Sequence, residues 1–313
     1  MKALKNNSID ILVTGSIAFD YIMNLDAKFT DYILPDQIHQ LNVSFNSKSM
    51  QRHFGGTAGN IAYSMALLGL KPQIISVAGH DYTENYNQLL LGAGVNCQAV
   101  KVLPHEYTAT GFCITDTQGN QIWSFSLNAL NHTTSINLPN PRKDTNQLLI
   151  ISPSGPGGIM HFVHQAIKQH IPYVFDPAFA IPELSPAELK TGIQSASIII
   201  GNDYEITLIK QKTGLSSLIK SNQIVITTLG EKGSQVEAPL DLYNFPLKAF
   251  EHNPKYNQNI PQIKASHIPP AQPKSVTDPT GAGDAFRAGL ITGIVKGLDL
   301  ITSIKLGNTI ASF

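Results

Sequence analysis

Short apolar runs alternate with helical stretches through the second half of the chain, and this alternation limits the fold more than any other feature. Runs rich in Ile, Val and Leu lie at residues 148–151, 173–175, 197–200 and 224–229. A helical pattern over 159–169 separates the first two, and another follows 201–202. Strands that are apolar throughout and joined by helices form a parallel sheet covered on both faces. We therefore expect an α/β fold with a central, mostly parallel sheet flanked by helices.

The first half of the chain is expected to add strands to the same sheet. Two insertions interrupt this α/β pattern. Residues 11–16 and 73–78 read as buried strands, and 61–70 reads as the helix between them. The two insertions, at about 20–50 and 106–130, differ in their pattern of apolar and polar residues. Residues 39–45 alternate apolar and polar, and strand-like runs at 108–115 and 121–127 flank a turn at 117–120. We expect the insertions to form a small β lid on a single domain spanning 1–313, and a loop with room for one strand at 252–275.

Composition excludes several classes of function. Among the 313 residues, Lys plus Arg number 22 and Asp plus Glu number 22, so the formal charge is zero. Without a basic run, we expect neither nucleic acid nor an anionic membrane as a partner. The two cysteines, Cys97 and Cys113, lack metal-ligand spacing and suit a reducing compartment. The polar start and the absence of a long apolar segment predict a cytoplasmic protein.

The stretch at 276–289 predicts an anion site. Two Asp, two Gly and one Pro fall within residues 278–284, and an apolar helical pattern follows at 285–295. A helix that starts at such a turn directs free N–H groups and the positive end of its dipole at one point. Asp284, in the first turn, can act as a base for phosphoryl transfer to an alcohol. The alternative is an ordinary helix start. Arg287, one turn later, faces either phosphate or solvent.

Polar residues and glycines also follow several of the predicted strands. Ligands of open α/β sheets bind beyond the carboxyl ends of the strands, where a single cleft is predicted. The residues expected at this cleft are Ser16, Asp20, Asp176, Asn202, Gly230 and the turn at 278–284.

Two motifs resemble the signatures of the ribokinase-like (PfkB) carbohydrate and nucleoside kinases. Residues 278–284, Asp-Pro-Thr-Gly-Ala-Gly-Asp, resemble the C-terminal signature, and residues 55–60, Gly-Gly-Thr-Ala-Gly-Asn, resemble the N-terminal one. Residues 202–205 and 227–233 fit the middle segments, so the resemblance covers nearly the whole chain. Residues 13–20, 34–35 and 43–45 look most similar to bacterial-type adenosine kinases. The resemblance implies a ribokinase-like fold and transfer of the γ-phosphoryl of ATP to a nucleoside or sugar hydroxyl, with the 5′-hydroxyl of adenosine favoured. It implies Mg²⁺ and leaves a monovalent cation open.

The resemblance also assigns roles to individual residues. At the phosphate end it implies Asp284 as the base and Gly281, Ala282 and Gly283 as donors of backbone N–H groups. The residues implied in substrate binding are Ser16, Asp20, Ser44, Gly55, Gly56, Asn60 and Phe125, the last by stacking on a base. Those implied in ATP binding are Asn202, Glu205, Thr228, Gly230 and Gly233, with Glu205 reaching Mg²⁺ through water.

Most of these roles have a structural alternative. Ser16 and Ser44 can satisfy local backbone groups. Asn202 and Glu205 have the spacing of a helix capping box, which is compatible with a role beside the metal. Phe125 is as readily explained by packing within the lid.

The chain departs from the adenosine-kinase pattern after residues 176–177. Phe179, Ala180 and Glu183 replace the glutamines and arginine that the resemblance leads us to expect. A sugar kinase of the ribose or fructose-phosphate type and a non-catalytic binding protein are therefore alternatives, although lysines in the lid are limited to Lys28 and Lys48. Residue 313 falls within a helical pattern where the family continues, so we expect an early end to the chain. A homodimer through the lid is a further expectation.

Overall fold

The computed structural model describes residues 9–33, 42–141, 145–219, 222–244, 250, 262–272 and 281–313. Residues 34–35 and 278–280 of the motifs above lie outside these ranges. Within them the strands are β1 (Ile9–Thr14), β2 (Ala18–Leu25), β3 (Ser47–Gly55), β4 (Gln73–Gly79), β5 (Asn96–Leu103), β6 (Ala109–Thr115), β7 (Gln121–Ser126), β8 (Asn146–Ile151), β9 (Tyr173–Phe175), β10 (Ile198–Asn202), β11 (Ile224–Thr228), β12 (Ser234–Pro239) and β13 (Ile263–Ile268). The α-helices are α1 (Thr57–Leu67), α2 (Tyr86–Ala93), α3 (Gly158–Gln169), α4 (Pro186–Ser195), α5 (Asp203–Thr213), α6 (Ala282–Val295) and α7 (Leu300–Ala311).

Nine strands form the large sheet, in the order β13-β12-β11-β10-β9-β8-β1-β4-β5. The seven from β11 to β5 pair in parallel, and β12 and β13 are antiparallel at one edge. The predicted mostly parallel sheet is therefore confirmed. Because the parallel strands point the same way, their carboxyl ends lie along one edge of the sheet, where ligands of such folds bind.

Helices cover both faces of the large sheet, as the apolar strands require. Alternate residues of β1 point to opposite sides, so that Val13 joins one buried cluster and Leu12 the other. The first cluster contains residues of α1, α2, α6 and α7, and the second contains residues of α3, α4 and α5. No helix among the described residues is long and apolar enough to cross a membrane.

Four strands form a second sheet, the small sheet, in the order β3-β2-β6-β7. Strands β6 and β7 form the predicted hairpin, whereas β2 and β6 are parallel. The strand expected at 39–45 is wrong for residues 42–45, and the rest of it lies outside the described residues. The strand starts instead at Ser47, and it carried no apolar signal because every residue of β3 before Gly55 is exposed.

Candidate active site

Helix α6 begins within the stretch where the sequence predicts an anion site. Gly281, the N-cap residue, has φ 80°, in the left-handed region that favours glycine. Ala282, Gly283 and Asp284 follow as the first helical residues, and Ala285 N donates to Gly281 O at 2.9 Å. The N–H groups of a first turn have no acceptor within their own helix. They are therefore suited to bind an anion at this point.

Asp284 is partly buried and contacts the other signature motif. Its Oδ2 accepts a hydrogen bond from Asn60 Nδ2 at 2.9 Å, across 224 positions of sequence. Burial raises the pKa of Asp284 to about 6, although Asn60 and the positive charge of Arg287 act against this shift. A carboxyl group with this pKa is mostly ionised at neutral pH. Its pKa also lies close enough to pH 7 for the group to act as an efficient proton acceptor.

Arg287 does not face solvent, which was one of the two alternatives that the sequence left open. It is 7% exposed, and its Nη2 donates to Asp176 Oδ1 at 2.6 Å. Its Nε also contacts Asp176 Oδ2. Asp176, only 1% exposed, follows β9 at the carboxyl edge of the sheet. We expected Asp176 at the cleft from its position after a predicted strand. No sequence pattern indicated its pairing with Arg287.

The segment from Gly55 to Asn60 links the two ends of the site. A Cβ atom added to Gly55 would collide with Asp20 Oδ2, so the backbone approaches that carboxylate closely. Gly56, with φ 88°, is the N-cap residue of α1, and Asn60 lies one turn into that helix. Tyr86 Oη donates to Gly55 O at 2.8 Å and holds this segment from α2.

Ser16 accepts hydrogen bonds from backbone groups at the start of α1. Its Oγ accepts from Thr57 N at 3.0 Å, and its carbonyl accepts from Ala58 N at 3.0 Å. Ser16 thereby anchors the start of α1 to the end of β1. Ser44 lies exposed in the segment before β3.

One row across the small sheet carries the residues predicted to meet a substrate. The pairing places His53, Asp20, Gly111 and Phe125 side by side on one face. A Cβ atom at Gly111 would lie 2.6 Å from Asp20 Oδ1 and 3.2 Å from the ring of Phe125, so only glycine lets both side chains approach the strand this closely. Burial raises the pKa of Asp20, and His53 acts against that shift. Sequence reasoning missed Gly111, whose role depends on strand pairing.

Phe125 and Trp123 form a flat aromatic surface beside Gly111. Their ring centroids are 5.4 Å apart with an angle of 5° between the planes. Phe125 is 69% exposed, and Gln121 Oε1 accepts a hydrogen bond from Trp123 Nε1 at 3.1 Å. Two parallel rings with an open face suit stacking against a flat heterocycle.

The residues predicted for nucleotide binding follow β10 and β11. Asn202 and Glu205 form the capping box of α5, with both hydrogen bonds at 2.8 Å. Burial raises the pKa of Glu205, and the N–H of Asn202 acts against that shift. Thr228 ends β11, Gly230 starts an exposed turn, and Gly233 closes it. A Cβ atom at Gly233 would collide with Ile268 O. Close packing against that carbonyl therefore also explains why this position is a glycine.

Glu205 is the carboxylate that the sequence predicts near a metal, and its Oε2 accepts a hydrogen bond from Asn202 N. Across the described ranges, no group of three or more His, Cys, Asp or Glu side chains forms a metal-binding cluster. Mg²⁺ usually keeps several waters and binds through one or two carboxylates plus the phosphates of the substrate, so no such cluster is needed.

The segment that departs from the adenosine-kinase pattern directly follows Asp176. Ala178 has φ 41°, in the left-handed region that non-glycine residues rarely adopt. Phe179 is 69% exposed, Ala180 is buried and Glu183 is exposed. The segment therefore presents an aromatic ring at the carboxyl edge of the sheet.

The mostly parallel α/β sheet with a small sheet beside it, together with the similarity to nucleoside and carbohydrate kinases, places the chain among the phosphotransferases that act on an alcohol group. The sequence matches the pfkB family carbohydrate kinase profile over residues 19–313, and the chain belongs to this family.

Similar proteins include a nucleoside kinase from Methanothermobacter thermautotrophicus, 27% identical over 97% of this chain and 88% of the relative. The structure of a Burkholderia thailandensis nucleoside kinase in complex with inosine has a TM-score of 0.78 and 32% identity, covering 96% of this chain and 89% of that one. The same enzyme in complex with ADP-inosine has a TM-score of 0.75 and 34% identity, covering 96% and 88%. The Methanocaldococcus jannaschii nucleoside kinase has a TM-score of 0.81 and 25% identity, covering 98% and 92%.

Proposed function

We propose that this chain is an ATP-dependent nucleoside kinase that phosphorylates the 5′-hydroxyl of a purine nucleoside, with adenosine and inosine as the first candidates. The contact between Asn60 and Asp284 carries the proposal, because it joins a substrate-side motif to a base at an anion-binding helix start. The similarity to nucleoside kinases, one of them in complex with inosine, supports the choice of substrate class.

At the phosphate end, Asp284 accepts the proton of the attacking hydroxyl. The hydroxyl oxygen forms a bond to the γ-phosphorus as the bond from that phosphorus to the β–γ bridging oxygen breaks, and ADP leaves. The N–H groups of Gly281, Ala282 and Gly283 stabilise the negative charge on the transferred group. Catalysis then consists of positioning and electrostatic stabilisation.

At the nucleoside end, Asp20 accepts hydrogen bonds from sugar hydroxyls, with Gly55, Gly56 and Asn60 close to the sugar. The base stacks on Phe125, whose ring is held parallel to that of Trp123. Ser16 and Ser44 remain proposed substrate contacts.

The charges on the small sheet favour an uncharged substrate. By strand register, the described face that carries Asp20 holds no Lys or Arg. Arg52 lies on the opposite face, with its guanidinium 4.8 Å from the ring centroid of Phe19. Lys48 Nζ lies 3.6 Å from Asp26 Oδ1 at the far end of the sheet. A sugar phosphate would need a cation beside its phosphate group, so this distribution disfavours it.

At the nucleotide end, we assign Asn202, Glu205, Thr228, Gly230 and Gly233 to ATP binding. When bound, Mg²⁺ would neutralise charge on the phosphates, and Glu205 would orient it through water. The relative that is in complex with ADP-inosine supports an adenine nucleotide as the second ligand.

A coupled ADP-release assay with adenosine, inosine, cytidine, ribose and fructose 6-phosphate, each with MgATP, tests the proposal. We expect turnover with a purine nucleoside and a loss of at least 1,000-fold in D284N, on the order of a missing essential base. Turnover only with ribose or fructose 6-phosphate would replace the nucleoside by a sugar. Equal rates for D284N and wild type would refute the base assignment, and nucleoside binding without any turnover would identify a binding protein.

We also propose that a second copy of the chain covers the outer face of the small sheet, opposite Asp20. Met50, Phe112 and Ile122 lie on this face and are exposed, with Met50 at 63%. Because β-strand side chains alternate, a partner here leaves the Asp20 face open to substrate. Sedimentation velocity should give a dimer for wild type and a monomer for M50E/I122E, and a monomeric wild type at tens of micromolar would contradict the proposal.

A further inference from the structure

One guanidinium lies among three carboxylates beneath the anion-binding turn. Arg287 contacts Asp176 directly, and its charge also acts on Asp284 and Glu205, which lie on different elements of the fold. Its Nη1 is 2.8 Å from the position that a Cβ atom of Gly283 would occupy. The positive charge therefore lies directly against the backbone that is proposed to bind phosphate.

Stability alone does not explain a buried ion pair at this place. The desolvation of two buried charges offsets most of their attraction, and well-packed apolar residues often stabilise a fold as well or better. The pair does join two parts of the site, since Asp176 follows β9 and Arg287 lies one turn after Asp284 on α6. The Arg287 guanidinium, held by Asp176, therefore keeps its position and orientation when substrates bind.

We propose that Arg287 is a positioning residue for the phosphoryl transfer: held by Asp176, it keeps the Asp284 carboxylate ionised and fixes the first turn of α6. The inference rests on the proposed role of Asp284 as the base. Arg287 acts through Asp284 and the turn, without itself accepting the proton.

The neighbours of Asp284 determine the expected sign. Arg287 and Asn60 favour its ionised form, whereas burial and the charge of Asp176 raise its pKa. From α2, Tyr86 also faces it, but burial raises the pKa of this hydroxyl, so it stays neutral. Helix α7 meets α6 at Ser303 and Gly307, neither of which titrates. Removing the guanidinium therefore raises the pKa of Asp284, and removing the Asp176 charge lowers it.

The pH dependence of kcat/KM for the nucleoside, measured from pH 5 to 9 in the full-length protein, tests this sign. In R287M we expect the acidic limb to move up by about one pH unit, as for the loss of a nearby opposite charge. R287K keeps the charge but cannot bind both Asp176 oxygens in the same way, so its limb stays near that of wild type while kcat falls. K305M, which removes an exposed cation from α7, is the matched control and should leave the profile unchanged.

Two further variants separate an electrostatic role from a structural one. D176N should move the limb down, and D176N/R287M should keep it near that of R287M, because burial raises the pKa of Asp176 and leaves it protonated once the Arg287 guanidinium is lost. A uniform loss of activity in R287M with an unmoved limb would overturn the inference. If R287M fails to fold, an unmoved limb in D176N overturns it instead. Activity in D284N would refute the base assignment, whereas an inactive D284N with an unmoved limb in folded R287M would refute only the role of Arg287.

Discussion

The hydrogen bond between Asn60 and Asp284 allows a prediction with a worked magnitude. N60A removes a donor at 2.9 Å from the carboxylate. A hydrogen bond to a charged group contributes about 1.5–3 kcal/mol, and one pKa unit corresponds to about 1.4 kcal/mol. Water can replace part of this bond at a partly buried group, so we expect the pKa to rise by about one unit, from about 6 to about 7.

At pH 7 the ionised fraction of Asp284 would fall from about nine-tenths to about one-half. The value of kcat at pH 7 should therefore fall about two-fold through protonation alone, and it should recover above about pH 8. N60D has a larger effect, because a second carboxylate at this distance couples the two titrations and delays full ionisation. We expect its loss at pH 7 to exceed about ten-fold.

The assay is ADP release under saturating MgATP from pH 5 to 9, with kcat and KM determined separately. S64A, one turn further along α1, is the matched control. If Asn60 also binds the sugar, KM rises at every pH, but the displacement of the kcat limb remains. An N60A limb that coincides with that of wild type would refute the role of this contact in setting the pKa of Asp284.

Three further predictions concern the small sheet and the approach to it. G55A should displace the Asp20 carboxylate and raise KM for the nucleoside by about 10–100-fold with a smaller change in kcat, as for a lost charged hydrogen bond; G92A, where a Cβ meets open space, is the control, and an unchanged KM in G55A would contradict the contact. Trp123 is the only tryptophan in the chain, so its fluorescence should change on titration with a purine nucleoside but not with ribose, and an equal response to both would argue against base stacking. Burial opposes ionisation of Asp116, but hydrogen bonds from the hairpin turn outweigh it and lower its pKa to about 2. This group stabilises the fold above its unfolded pKa of about 4, and the contribution is lost as pH falls towards 2. D116N should therefore lower Tm by a few degrees at pH 7, with the gap closing at about pH 2, and equal Tm values at pH 7 would refute this.

Sequence patterns were sufficient where the signal is local. The buried parallel strands read as apolar runs because both of their faces are covered, as in β8 and β11. The helix predicted at 285–295 is confirmed as part of α6, which starts three residues earlier, at Ala282. The capping box of Asn202 and Glu205 was readable because its two residues lie three positions apart.

Features that depend on residues distant in the sequence could not be predicted from it. Arg287 has no local signal for burial, because its partner Asp176 follows β9, 111 positions away in the sequence. Strand β3 was missed because its side chains are exposed and follow no apolar period. The close approach of Asp20 and Phe125 to Gly111 arises only once β6 has paired with β2 and β7. In each case the residue type is visible in the sequence, but the distant residue or strand that it contacts is not.

The connection between the two ends of the site follows from one short segment and one tyrosine. Gly55 lies against Asp20, Asn60 binds Asp284, and the chain between them starts α1. Tyr86 donates to Gly55 O, and a Cβ atom at Gly59 would collide with its hydroxyl, so a single ring holds the segment at both positions. On the proposed roles, this segment of six residues joins the sugar contact at Gly55 to the base through Asn60. Because Asn60 also contributes to the pKa of Asp284, substrate contacts and proton acceptance are coupled through α1. This coupling gives the Gly-Gly motif a physical reason to precede a helix whose fourth residue is Asn.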